Sequence, residues 1–538
     1  MNWRRWLLGT VGAVVLGTMA GGASAQGTLR IGMTAADIPL THGQPDQGFE
    51  GNRFTGIPLY DALTAWDLSA ADRPSVVIPG LALSWEVDAQ DRTKWIFRLR
   101  EGVRFHDGTP FNADAVVWNV RKVLDREAPH YDARQVGLTA SRMPTLRRAE
   151  KIDENTVALF TSEPDSLLPI NLTNLFMASP AHWQKLRDAA PNAETAWNNF
   201  AATPSGTGPF RMTRLVPRER AEYARNDNYW GEKARAERIV LLPIPEATAR
   251  TAALLSGQVD WIEAPAPDSV PQLRQRNMVI TQNPQPHVWP WQPCFVAGNP
   301  LADVRVRRAL NLAIDREGLR ELLGGFMEPA VGTVPPGHPW WGNPSFNIRT
   351  DKAEARRLLA EAGYGPNRPL NLKVQISASG SGQMQPLTMN EFLQQDLREV
   401  GVNVEFDVVD WNTLFTNWRR GCQDASARGA NAINVTFAAM DPFFAMIRFY
   451  DSRMAAPVSN NWGQFNDPRF DRMVAEARST FEPTARDAAL ARLQAAGVDE
   501  ALFIFVAHDV GPRAMSPRVR GVVQPRSWFI DLRLPFIQ

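Results

Sequence analysis

The side chains that could carry out catalysis are present in this chain but not in catalytic spacing. Seven histidines, His42, His106, His130, His182, His287, His338 and His508, include no i, i+4 or similarly close pair of the kind that holds a metal on one helix face. Acidic residues are plentiful, yet nothing sets two carboxyls opposite each other at the separation a glycosidase requires. The run Ser379-Gly380-Ser381-Gly382 lacks the Gly-x-Ser-x-Gly spacing of a nucleophile elbow, and His508 with a distant serine does not make a triad. Neither an enzyme nor a resident cofactor or metal is expected. Cys294 and Cys422 cannot build a cysteine-rich zinc site; they form one disulfide or remain two buried thiols, and spacing does not decide between these.

The residues are better suited to recognition. The chain has 18 tryptophans against 6 tyrosines, and Trp289, Trp291, Trp340 and Trp341 fall in the Pro-rich stretches 283–300 and 333–344, read here as linkers or loops. Their planar faces can stack on sugar rings, aromatic groups or a cation, or can pin irregular loops to the body of the protein. Ser379 and Ser381 can present hydroxyls, and their loop its N–H groups, to a polar ligand; the alternative is a flexible surface loop before a helix.

Short β-type runs alternate with helical patterns along the chain, which points to an α/β class. Thr28 to Met33 reads as a first strand and Trp95 to Leu99 as a half-buried one, followed by turns at Gly102 and Asp107-Gly108. Asn112 is placed to cap a helix reaching about Asp125. A second helix is expected from Asp303 to Leu323, with Val306, Leu310, Ala313 and Ile314 inward and arginines opposite, stopping at Gly324-Gly325. A third starts at Asp351 and ends at Gly363, and a fourth runs from about Leu387 to Val400.

With 58 basic and 57 acidic side chains, the formal charge of +1 supplies no field toward nucleic acid or anionic lipid, so no nucleic-acid partner is expected. A length of 538 residues predicts about two to four domains. Residues 1–25 read as an export signal: Arg4 and Arg5, then an apolar run from Trp6 to Ala20, then Ala23-Ser24-Ala25 before Gln26. The arginine pair leaves both the general secretory and the twin-arginine routes open. No cysteine stands near the cleavage point to carry a lipid, so a free periplasmic protein is expected.

Several segments together resemble the bacterial extracellular solute-binding proteins of family 5, the periplasmic receptors of peptide- and nickel-type ABC importers. They include Pro79-Gly80-Leu81-Ala82-Leu83-Ser84-Trp85-Glu86, Phe105-His106-Asp107-Gly108-Thr109-Pro110-Phe111, Gly206-Thr207-Gly208-Pro209-Phe210, Arg225-Asn226-Asp227-Asn228-Tyr229-Trp230-Gly231 and Ala253-Leu254-Leu255-Ser256-Gly257-Gln258-Val259-Asp260. The Asp303 helix, Phe470-Asp471 and Val519-Arg520-Gly521 follow in the family's order. The resemblance implies an α/β, two-lobed periplasmic-binding-protein fold with an extra domain inserted in the first lobe. On that reading residues 26–75, 201–285 and 511–538 form lobe one, 76–200 the inserted domain and 286–510 lobe two.

The resemblance also implies a site. Peptide receptors of the family hold the ligand's α-ammonium with a carboxylate four residues before the proline of an acidic-Pro pair; here the pair is Asp441-Pro442 and the position is Ala438. An arginine that grips the peptide carboxylate is also missing between Val374 and Leu397. Trp411 matches a family tryptophan that lines the ligand cavity, and Trp418 falls where an oligopeptide receptor carries a polar contact. Asp441 either replaces the missing carboxylate or serves as a turn residue. The implied function is capture of a peptide-like or other small organic solute and its delivery by a monomer to an inner-membrane ABC permease with its ATPase subunits. The alternatives are a nickel or haem carrier and a ligand-presenting sensor or chaperone.

Overall fold

The computed structural model describes residues 27–43 and 48–538; the proposed export signal lies outside the described residues. No helix among them is long and apolar enough to cross a membrane. The fold is mixed α/β, built on two large sheets and a smaller one.

The first large sheet has the strand order Val279–Thr281, Arg513–Met515, Trp261–Glu263, Thr28–Met33, Arg238–Pro243, Arg220–Arg225, Phe210–Val216. Thr28–Met33 is central and parallel to both neighbours, with Leu29, Ile31 and Met33 fully buried. In the second large sheet the order is Met327–Pro329, Ile504–Asp509, His287–Pro293, Ala432–Ile433, Leu370–Ser377, Val402–Val409, and Phe437–Ala438 also pairs with His287–Pro293. Leu370–Ser377 and Val402–Val409 are parallel, joined through the crossover helix Pro386–Glu399 as parallel pairing requires. The third sheet, Ala82–Val87, Lys94–Leu99, Thr156–Thr161 and Leu146–Asp153, is antiparallel and packs on the helix Ala113–Leu124.

Local chemistry accounts for most element ends. The Asn112 side chain accepts from the Ala115 N–H at 3.1 Å, Asp351 from that of Glu354 at 3.0 Å and Asp410 from that of Thr413 at 3.0 Å, each satisfying a donor at a helix start. His106 serves the turn that its sequence block suggested: one ring nitrogen meets the Gly208 carbonyl at 3.0 Å, and burial lowers its pKa to about 4.

Two expectations are corrected. The helix from Asp303 is not continuous to Leu323 but divides into Val304–Ala313 and Arg316–Leu322. Ile314 leaves helical geometry (ψ 125°), and the buried Arg316 guanidinium takes the carbonyls of Asn311 and Ile314 at 2.9 and 3.2 Å, together with those of Ala330 and Phe505. Its arginines do not all form a solvent face either: Arg307 is 3 % exposed and donates to the carbonyls of Leu301, Ala302, Glu500 and Ala501.

The second correction concerns 283–300. His287–Pro293 is a buried strand inside the second sheet, and Trp289 and Trp291 are core residues rather than loop faces. Prolines 290 and 293 obscured it, because proline lacks a ladder donor. The sheet accommodates Pro290 at a register shift after Trp289, while its carbonyl accepts from the Asn434 side chain at 2.9 Å. The indole N–H of Trp289 goes to the Gln383 carbonyl and that of Trp291 to Asn390 Oδ1, so neither is available for a ligand.

Candidate functional site

Two cavities meet at Trp528. One, of about 140 Å³, lies between Thr34, Arg53, Glu246 and Glu263 on the side of the first sheet and Ser379, Gly380 and Gln385 on the side of the second. The other, of about 60 Å³, is lined by Trp411, Phe415, Trp418, Ser381, Phe437 and Ala438 from the second sheet and its helices, by Arg142 near the third sheet, and by Trp528 of the carboxyl segment. The structure therefore brings Trp411, Trp418, Ser381 and Ala438 together, and places Ser379 in the adjoining cavity. Asp441 lines neither.

The helix Trp411–Arg420 carries much of the second wall, with Trp411, Phe415, Trp418 and Arg419 spaced to share one helix face. Three connections fix it. Trp418 is 2 % exposed and donates its indole N–H to Gln292 Oε1 at 2.8 Å; Asn417 donates to Gln375 Oε1 at 3.1 Å; and Cys422, just past the helix, is bonded to Cys294 at the end of the central strand (S–S 2.12 Å). The disulfide resolves the alternatives left open by spacing.

The loop carrying Ser379 and Ser381 is anchored rather than free. The Gln383 side chain accepts from the Thr436 N–H at 2.9 Å and donates to the Asn434 carbonyl at 3.1 Å. Gly380 (φ +145°) passes so close to Trp411 that a Cβ there would stand 2.5 Å from the indole, and a Cβ on Gly382 (φ +71°) would stand 2.6 Å from the His287 ring. These glycines let the loop approach the cavity wall.

Asp441 accepts the Phe444 N–H at 2.8 Å, a local backbone role just before the short π-helical segment Phe443–Ile447. Burial pushes its carboxyl up to about 6, against the opposing pull of that hydrogen bond and of Arg448 and Arg142. Three guanidiniums line the smaller cavity: Arg142, Arg419 and Arg448. Arg448 is 4 % exposed, its Nε has no hydrogen-bond partner among the described residues, and its guanidinium lies 4.6 Å from the ring centroids of Phe444 and Phe449 and 5.1 Å from that of Trp418. Arg142 packs on Phe444 and donates to Asn174 Oδ1 at 3.0 Å; Arg419 packs on Phe415 at 4.9 Å. Burial lowers the pKa of all three, Arg142 to about 10, yet leaves that group cationic at neutral pH.

The larger cavity is electrically mixed. Glu263 is shared by Arg53 and Arg513, and although burial pushes its carboxyl up, Arg513 and Arg53 hold it below the usual range. In the wall of the smaller cavity His287 stacks on Trp528 at 4.4 Å, and burial with the nearby Arg53 charge lowers it to about 3, so it is neutral. Arg142, Arg448 and Trp528 were not among the residues singled out from sequence. Arg419 carried a signal, being eight residues from Trp411 on the same helix face; the others carried none.

A mixed α/β body with cavities walled from two sheets is the architecture of a two-lobed binding protein. Residues 76–453 match the middle region of the bacterial extracellular solute-binding proteins, family 5, and the chain belongs to that family. It is 27% identical over 499 residues to di/tripeptide-binding protein 2 of Pseudomonas aeruginosa (88% of this chain, 90% of the relative) and 26% identical over 446 residues to the nickel-binding periplasmic protein of Escherichia coli (80% and 81%). Its fold is similar to that of a dipeptide-binding protein from a Pseudoalteromonas species solved with Met-Leu, with a TM-score of 0.80, 21% identity and coverage of 95% of this chain and 100% of that one.

Proposed function

We propose that this chain is the exported, periplasmic substrate-binding component of an ABC importer. It captures a small organic or peptide-like solute between its lobes and delivers it to an inner-membrane permease driven by ATPase subunits, as a monomer and without chemistry of its own. The observation that carries this reading is the cavity between the two large sheets, which meets a second, aromatic-lined cavity at Trp528. Concave sites between domains bury most of a small ligand, and closure follows from the ligand's preference for the closed form. On this reading Trp411, Trp418 and Ser381 face the solute, Ser379 borders it, and Asp441 shapes the turn behind it. The segments 26–75, 201–285 and 511–538 belong to lobe one, 76–200 to the inserted domain and 286–510 to lobe two.

Relatives named for di/tripeptide and nickel binding share this scaffold, so the solute class is decided by experiment. The test is a thermal-shift screen of refolded, ligand-free protein against free peptides, amino-blocked peptides, oligosaccharides, aromatic acids and Ni²⁺. A ligand at a hundred times its Kd stabilises the folded form by about 2.7 kcal/mol, a readily measured shift. Stabilisation by one organic class supports the reading; stabilisation by Ni²⁺ alone replaces it with a metal carrier.

A further inference from the structure

We infer that the solute is an anion, an organic acid whose carboxylate enters the smaller cavity between Arg142, Arg419 and Arg448 while its apolar part lies against Trp411 and Trp528. This inference rests on the solute-binding reading above and names the ligand class. Three observations carry it. First, three guanidiniums from three separate parts of the chain line one cavity of about 60 Å³. Second, the buried Arg448 offers its Nε to no described hydrogen-bond partner and has aromatic faces packed around it. A buried cationic donor without an acceptor is unfavourable, and an arriving carboxylate removes that penalty through charge-assisted, planar hydrogen bonds. Third, none of the described residues lining this cavity is an acid, and Ala438 contributes only a methyl group to its wall.

Asp441 favours the charged forms of Arg142 and Arg448, but it stands outside the cavity lining and accepts the Phe444 N–H. His287, on the same wall, is neutral. The tryptophans supply a hydrophobic slot beside the cationic one, which selects an acid with a ring or short apolar body over a bare inorganic ion.

The experiment measures binding by calorimetry and thermal shift with named probes: indole-3-acetate, phthalate and an N-acetyl dipeptide, each beside its neutral amide, with a free dipeptide, a neutral trisaccharide and inorganic phosphate. Native mass spectrometry of protein taken from the periplasm runs in parallel. The expected result is that at least one acid binds ten times or more tighter than its amide, and that Arg419→Gln abolishes the preference while Arg419→Lys retains part of it. The partly exposed Arg419 is chosen because Arg448 variants are at risk of not folding; equal ligand-free melting of the Gln and Lys variants separates a folding effect from lost recognition. Acid and amide binding equally, or the free dipeptide or trisaccharide binding tightest, overturns the anion while leaving the importer reading intact. Phosphate binding as tightly as the organic acids overturns the apolar half of the inference. If no probe binds, a co-purified acid supports the inference and a co-purified neutral or cationic solute overturns it. No probe bound and no small molecule co-purified overturns both readings.

Discussion

Gly380→Ala tests whether the loop after Leu370–Ser377 and the helix face bearing Trp411 are parts of one site. The backbone of Gly380 has φ +145°, where a residue with a Cβ costs about 1–3 kcal/mol. The added methyl carbon would also stand 2.5 Å from the Trp411 indole, inside any normal contact distance, and relief by moving either the loop or the ring costs about 1–3 kcal/mol more. The expected total is about 2–6 kcal/mol of lost stability, read from denaturant unfolding with Gly365→Ala as the control. Gly365 has open space around its Cβ and no positive φ, so its variant stays within about 0.5 kcal/mol of the parent. Because the ring is the part able to give way, ligand affinity should fall tenfold or more in Gly380→Ala and stay unchanged in the control. If Gly380→Ala unfolds and binds like Gly365→Ala, the close approach of loop to indole is not a feature of the molecule in solution.

Three further outcomes follow from the same geometry. Trp411→Ala should weaken ligand binding by about 1–3 kcal/mol in calorimetry; unchanged affinity removes Trp411 from the site. Cys422→Ser should destabilise the protein by about 3–5 kcal/mol, since the bond closes a sequence separation of 128 residues, and unfolding of the oxidised and reduced parent protein checks it. Asp441 has a folded pKa of about 6, above its ordinary 3.8, so the folded state holds the proton more tightly and this group's contribution to stability falls as pH rises from about 4 to 6. The parent should therefore lose roughly 2 kcal/mol relative to Asp441→Asn between pH 4 and pH 7, measured by denaturant unfolding of both; parallel pH profiles would refute the assignment.

Local signals were read most accurately where one or two neighbouring side chains decide the outcome. Asn112 and Asp351 each sit where a short polar side chain can take a free N–H, and each does so. The failures share a cause as well. Arg316 splits a periodic helix because carbonyls from residues 330 and 505 converge on its guanidinium, which no window around position 316 contains. Trp289 and Trp291 looked like loop residues because the prolines beside them are poor strand formers, and only the Asn434 bond and a register shift make the strand possible.

The sequence by itself determined the α/β class, the family and the starts of the helices after Asn112, Asp303 and Asp351. The resemblance also implied that Ala438 stands where a peptide receptor keeps its acid. Only the tertiary structure decided that Arg142, Arg419 and Arg448, distant from one another along the chain, share one aromatic-lined cavity with Trp528. The physical reason is that capping and periodicity act over a few residues, whereas charge clustering and desolvation depend on distance in space, which the packing of sheets and helices alone sets.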